Sequence, residues 1–202
     1  MIDSQLRPEG VTDAAVLEAM NAVPREQFVQ QDIRPLAYAD RSLALGGGRF
    51  LPAPAVLGQL LTELAPQAGE RVLVIGAATG YAAAVLAHIG CEVTALESSP
   101  ELAARARELG ATVVEGALEK GHKAAAPYDL ILIDGAVEHV PEAIIAQLAD
   151  GGRLGTGLVE RGITRLIVGQ KIAGAFGFSS IADAGLATLP GFSRARPFTF
   201  ER

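Results

Sequence analysis

The sequence has few of the residues that do covalent and redox work. Cysteine occurs once, as Cys91, and histidine three times, as His88, His122 and His139. A single thiol excludes an internal disulfide framework and suits a reducing cytoplasm. No catalytic dyad and no metal site are expected from so small a set. Aromatic residues make up only 5% of the chain, while alanine and glycine are abundant. Such a composition belongs to a globular chain whose elements pack closely, not to a disordered one. No apolar run is long enough to span a bilayer, and no basic–apolar–small leader opens the chain, so no membrane span and no secretory route are expected. Positive charge is also short: 17 Lys and Arg against 23 Asp and Glu leave a net charge of −6, which argues against a nucleic-acid partner. No internal repeat and no low-complexity tract is present. The G-x-G-x-x-G spacing is missing too, which weakens any NAD or FAD reading.

What is there is organised around residues 72–97. Val72-Leu73-Val74-Ile75 is a short, mostly β-branched run of the kind buried on both faces of a parallel sheet. Gly76-Ala77-Ala78-Thr79-Gly80 is a tight turn, and Tyr81 to Ile89 an alanine-rich helix stopped by Gly90. A second strand ends in a lone acid, Glu97. Glycine lets the backbone approach a ligand closely. The helix N-terminus offers free N–H groups and positive dipole. An acid about 20 residues beyond the turn stands where it can accept hydrogen bonds from both hydroxyls of a ribose. A plain strand-to-helix turn with no ligand is the alternative.

The remaining elements follow the same logic. Thr12 is a candidate N-cap for a first helix that Pro24 ends. Residues 43–54 read as a Gly/Pro loop around Gly46-Gly47-Gly48, either a linker or a substrate loop. Ala55 to Leu64 is an apolar helix. Ser99-Pro100-Glu101 opens another, with N-cap, N1 proline and first-turn acid in order, and it stops at Gly110. Strands are predicted over 112–115, 128–134, 153–158, 164–169 and 197–200, with a helix over 141–148 and a turn at Gly151-Gly152. Strands alternating with helices imply a Rossmann-like α/β fold with a doubly wound, mostly parallel sheet, helices on both faces and an N-terminal helical extension. At 202 residues one domain is expected.

Several motifs occur together in a fixed order: Gln5-Leu6, Val23-Pro24-Arg25-Glu26-Gln27-Phe28-Val29, Ala37-Tyr38 followed by Asp40, the glycine loop with Pro54, and Val72 to Ala87. In that order they resemble the protein-L-isoaspartate (D-aspartate) O-methyltransferases, over residues 1 to roughly 160. The resemblance implies a class I methyltransferase fold and S-adenosylmethionine (SAM) as cofactor. It implies methylation of the carboxylates of isoaspartyl residues in damaged proteins or peptides, with another small acceptor as the alternative. A non-catalytic scaffold of the same fold is the alternative outside enzymology. By the same resemblance, residues 1–66 form a helical and substrate-loop region and residues 67–202 the SAM-binding core. Cofactor contacts are expected from Gly76, Ala77, Ala78, Gly80, Glu97, Ala117, Leu118 and Asp134. No catalytic residue is assigned, and no oligomeric state.

The departures from the family pattern define further expectations. The family's loop continues Gly-Gln-Thr-Ile-Ser-Gln-Pro, whereas this chain has Gly48-Arg49-Phe50-Leu51-Pro52-Ala53-Pro54. Pro52 replaces the functional serine and has neither hydroxyl nor N–H. Arg49 is a candidate replacement charge for the acceptor carboxylate, and an exposed loop arginine is the alternative. Val74 stands where the family usually has Glu, Ala78 where it has glycine, and Ala117 where it has Asp. A left-handed Ala78 would cost about 1–2 kcal/mol, and a lost charge-assisted hydrogen bond about 1.5–3 kcal/mol. Asp134 ends a strand at the expected ligand crevice, where it meets the cofactor's amino group, binds a different acceptor, or is a solvated loop acid.

Overall fold

The computed structural model of the chain describes residues 1–193. The strand expected over 197–200 lies outside the described residues. The chain begins with one turn of π-helix, Ile2–Leu6, and helix α1, Ala14–Ala22. The N-cap of α1 is Asp13 rather than Thr12: the Asp13 carboxylate accepts the Val16 N–H at 2.9 Å. Both residue types can cap, but the ionised carboxylate also gains from the helix dipole. Two 3-10 turns follow, Arg25–Phe28 and Gln31–Leu36.

Residues 43–51, expected as open loop, instead form an antiparallel hairpin. Strand β1, Leu43–Gly46, pairs with β2, Arg49–Leu51, placing Leu43 opposite Leu51. Alternation decides which side chains enter the core: Leu43, Leu45, Arg49 and Leu51 point in, Ala44 and Phe50 out. Helix α2, Pro54–Leu64, starts on an N1 proline.

The α/β core then runs β3, Arg71–Ile75; α3, Tyr81–Ile89; β4, Glu92–Glu97; α4, Pro100–Glu108; β5, Val113–Glu115; β6, Tyr128–Val137; α5, Glu142–Ile145; β7, Leu148–Glu160; β8, Ile163–Ile172; and β9, Ala175–Asp183. These strands make one seven-stranded sheet in the order β5-β4-β3-β6-β7-β8-β9. The first five are parallel to one another, and β8 and β9 add antiparallel to the edge. Both faces of β3 are buried, as its unbroken apolar run requires. Val72 and Val74 join the cluster built with α1, α2 and α3, while Leu73 and Ile75 join a second cluster that holds Leu118, Ile144, Leu189 and Phe192. The chain leaves β3 toward β4 and β5 on one side, then crosses back from β5 to β6 on the other side of β3. The crevice beyond the carboxyl ends of β3 and β6 is therefore the switch point where α/β sheets bind ligands.

The helix expected over 141–148 is a single turn. Leu148 belongs to β7, where it pairs with Tyr128, so the chain must straighten before it. Gly151-Gly152, expected as a turn, lies inside β7. A Cβ on Gly152 would stand 2.9 Å from the Ala149 carbonyl and 3.0 Å from that of Tyr128, so the strand passes there only as glycine. Strand β9 was not anticipated. It is reached through two-residue turns, Arg161-Gly162 and Ala173-Gly174, with φ of 51° and 81°, then 50° and 81°. Paired positive φ values are the type I′ geometry that matches strand twist.

Candidate active site at the switch point

The turn after Ile75 has the shape expected of it. Gly76 and Gly80 have φ of 75° and 94°. Ala78 is also left-handed, at φ 49°, so alanine adopts the glycine conformation here and carries its strain. The Gly76 and Ala77 amides donate to the Leu96 carbonyl, at 2.9 and 3.2 Å, which stitches the turn to the end of β4. Thr79 donates to the Phe28 carbonyl at 2.7 Å and anchors the turn to the N-terminal region.

Glu97 closes β4 and is fully buried. Its Oε2 accepts the Ala78 N–H at 2.7 Å. Its Oε1 accepts the Ser98 and Ser99 amides at 2.8 and 3.0 Å, and the Ser98 hydroxyl at 3.3 Å. The remaining partner is Arg49: Nη1 donates to Oε1 at 2.6 Å, and Nη2 donates to the Gly76 carbonyl at 2.7 Å. Arg49 is 4% exposed. It is neither a solvated loop arginine nor turned outward to an acceptor, because β2 points it inward, where Glu97 is its ion-pair partner and Asp134 lines the same cavity. A buried guanidinium without a carboxylate would keep its full desolvation cost.

Asp134 sits one residue beyond the last β3–β6 pair, Ile75 with Ile133, and is 8% exposed rather than a solvated loop acid. Burial pushes its carboxyl up to about 6; Arg49 and Arg25 pull it down and Glu97 pushes it further up. It lines a cavity of about 10 Å³ together with Arg49, Phe50, Pro52 and Leu189. Arg25 is fully buried beneath this cavity's loop. Its Nε donates to the Ala37 carbonyl at 2.7 Å and its Nη2 to the Pro52 carbonyl. The guanidinium also lies 4.9 Å over the Tyr81 ring, and burial lowers its pKa.

Residues 187–192 complete the site from the other end of the chain. The Ala136 N–H donates to the Ala187 carbonyl at 2.9 Å and the Leu189 N–H to the Ala136 carbonyl at 2.8 Å. Thr188 thereby bridges in parallel to Ala136, just beyond the point where β3 stops pairing with β6. The Leu189 side chain packs on two glycines. A Cβ on Gly76 would stand 2.8 Å from Leu189 Cδ1 and 3.0 Å from Arg49 Nη2, and one on Gly135 only 2.6 Å from Leu189 Cγ.

Arg49 thus joins Gly76, Glu97 and, through Glu97, Ala78, and lines one cavity with Asp134; Ala77 bonds to Leu96 in the same turn, and Gly80 faces Ala106 and Ala111. Phe50 and Pro52 reach the cavity's rim, Phe50 at 38% exposure and Pro52 buried. Ala117 is exposed. Leu118 is buried in the same apolar cluster as Leu96, Leu189 and Phe192. Val74 lies wholly in the core between Ala95 and Leu132. Sequence reasoning missed Leu189, whose neighbourhood carries no local signal. It noted Arg25 only as part of a motif, although an arginine within a Val-Pro-Arg…Phe-Val run hints at burial. Wider surface concavities lie elsewhere, one of about 720 Å³ beside Val11 and Leu17 and one of about 670 Å³ beside Glu160 and Arg165. Among the described residues no cluster of His, Cys, Asp and Glu is arranged to hold a metal, and no helix is long and apolar enough to cross a membrane.

Comparison with known proteins agrees with this geometry. The family described as protein-L-isoaspartate (D-aspartate) O-methyltransferase matches residues 1–175. A protein-L-isoaspartate O-methyltransferase of Methylorubrum extorquens is 46% identical over 160 residues, covering 76% of this chain and 70% of the relative. One from Koribacter versatilis is 36% identical over 206 residues, covering 97% and 93%. A solved protein-L-isoaspartate O-methyltransferase superposes with a TM-score of 0.82 at 26% identity, covering 92% of this chain; the chain spans 64% of the length of that structure. A Plasmodium falciparum structure of the same kind, determined with S-adenosyl-L-homocysteine, gives a TM-score of 0.80 at 18% identity over 91% and 94%, a likeness of fold. Family match, relatives and fold converge: the chain belongs to the protein-L-isoaspartate (D-aspartate) O-methyltransferase family, whose cofactor is S-adenosylmethionine.

Proposed function

We propose that the chain transfers a methyl group to the carboxylate of isoaspartyl residues in proteins or peptides. The observation that carries the reading is Glu97. It is a buried acid at the end of the strand beside the glycine turn, in a member of this family. S-adenosylmethionine supplies a methyl already activated on a sulfonium. The acceptor carboxylate is ionised at neutral pH, so no general base is needed. The protein's contribution is then to hold two reactants in line and keep water out. Glu97 and the turn from Gly76 to Gly80 supply the donors and acceptors an adenosyl group needs, with Asp134 at the far wall. The chemistry of this set fits the cofactor, but the space in the present arrangement does not. A cavity of about 10 Å³ holds at most one water, whereas a ligand of nucleoside size needs at least about 300 Å³.

Residues 1–66 would carry the acceptor side through the β1–β2 hairpin, and residues 67–202 the cofactor side. The one cysteine, buried and unpaired, supports work in a reducing cytoplasm. A second reading, a different acceptor, draws support from Phe50 and Pro52. They replace a threonine and a serine of the family loop and leave an apolar rim. Labelled S-adenosylmethionine offered with an isoaspartyl peptide and its normal aspartyl counterpart decides between them. Label on the isoaspartyl peptide alone is expected. Label in small-molecule extract but on neither peptide selects the second reading, and no incorporation anywhere refutes both.

A further inference from the structure

We propose that the chain stoppers its own cofactor crevice: Arg49 and Leu189 occupy the adenosyl site, so that S-adenosylmethionine binds only by displacing them. This rests on the reading of the crevice given under Proposed function. Four observations converge. The acid positioned for a ribose already has a planar cationic partner, because Arg49 Nη1 donates to Glu97 at 2.6 Å. A guanidinium N–H on that carboxylate takes an acceptor position that a ribose hydroxyl would otherwise use. The second Arg49 nitrogen donates to the Gly76 carbonyl at 2.7 Å, at the place where the turn's backbone is bare for close approach to a ligand.

Leu189 fills the rest. Its methyls lie against Gly76 and Gly135, the two positions flanking the switch point that lack a Cβ. Its backbone is held by a parallel bridge to Ala136, in the slot β3 vacates. What remains open is a void of about 10 Å³. The two parts of the stopper come from opposite ends of the sequence, the hairpin and residues 187–192, and meet only here. Neither belongs to a strand of the seven-stranded sheet: Arg49 is carried by a two-stranded hairpin, and Leu189 by a segment held by backbone bonds to Ala136 and Glu138. A ligand that binds only the open form has its affinity reduced by the fraction of molecules that are open.

The test is calorimetric titration of S-adenosylhomocysteine, without acceptor, into the wild-type chain, Leu189→Ala and Arg49→Ala. Leu189→Ala leaves the buried ion pair in place, so it reports even if Arg49→Ala does not fold. The expected result is affinity at least ten-fold tighter in the variants than in wild type. Hydrogen exchange provides a second reading: saturating ligand should abolish protection of the Leu189 and Ala136 amides. Wild-type affinity equal to or tighter than that of the variants overturns the proposal. Amides that stay protected at saturation overturn it too, as does failure of the folded variants to bind at millimolar ligand. Failure of isoaspartyl methylation alongside gained nucleoside affinity would refute the function above and leave the stopper standing.

Discussion

Breaking the Arg49–Glu97 pair should cost far more than a surface ion pair would, and the cost should be shared by the two partners. Exposed pairs contribute about 0–1 kcal/mol. Here both side chains are withdrawn from water, at 4% and 0% exposure. Removing one partner of such a pair typically costs about 3–5 kcal/mol, because the other charge stays buried and uncompensated. Arg49→Met leaves Glu97 the amides of Ala78, Ser98 and Ser99. Its cost should therefore fall near the lower edge, about 3 kcal/mol. Glu97→Gln leaves Arg49 bonded to the Gly76 carbonyl but without a counter-charge, and about 3–4 kcal/mol is expected. In the double variant the orphaned charge of each single variant is gone, so the two losses should overlap by about 2 kcal/mol. Urea unfolding of the four proteins, fitted with a common slope, measures this cycle. For a chain of this length, about 3 kcal/mol corresponds to roughly 6–12 °C in Tm. Raising NaCl to about 1 M should leave the coupling nearly unchanged, since buried pairs are weakly screened. Single-variant losses that add to within about 0.5 kcal/mol would show that the two side chains do not depend on each other, and the reasoning would fail.

Asp134 gives a pH signature. Its folded-state pKa is raised to about 6 from an ordinary 3.8, chiefly by burial. Its stabilising contribution is therefore complete below about pH 4 and lost as pH rises through 6. Two pKa units correspond to at most about 3 kcal/mol, so Asp134→Asn should gain on wild type by up to that amount between pH 4 and 7 in urea titrations. Parallel stability–pH curves would refute the assignment. Ala78→Gly should stabilise by about 0.5–1 kcal/mol, because relief of the left-handed strain exceeds the added unfolded-state entropy of glycine. A fall in the thermal midpoint would contradict this.

The centre of the fold was legible because its signals are local. A β-branched run, two glycines, an alanine-rich helix and a stopping Gly90 specify β3, α3 and the turn between them without reference to the rest. Ser99-Pro100 did the same for α4, whose hydroxyl cap and proline stand where expected. Arg49 was not legible. Its partner lies 48 residues away, and only the hairpin turns it inward. The alternation of Leu43, Leu45 and Leu51 carried that information but was overshadowed by the three glycines. Likewise Gly152 signalled close approach of two strands rather than a turn, and Arg161-Gly162 and Ala173-Gly174 marked hairpins only as pairs of positive φ. Leu189 is defined entirely by tertiary contact.

Arg25 has a consequence for how the hairpin can move. One guanidinium holds the carbonyls of Ala37 and Pro52 and rests on Tyr81, so it joins the end of a 3-10 turn, the residue just after β2 and the first residue of α3. The near end of the hairpin is thereby fixed, and Gly46, Gly47 and Gly48 at the tip are where it can bend. A swing of the whole hairpin that takes Arg49 away from Glu97 would strip Arg25 of the Pro52 carbonyl, whereas a pivot on those glycines would not. Arg25, which touches no ligand, thereby confines opening of the proposed stopper to the glycine tip.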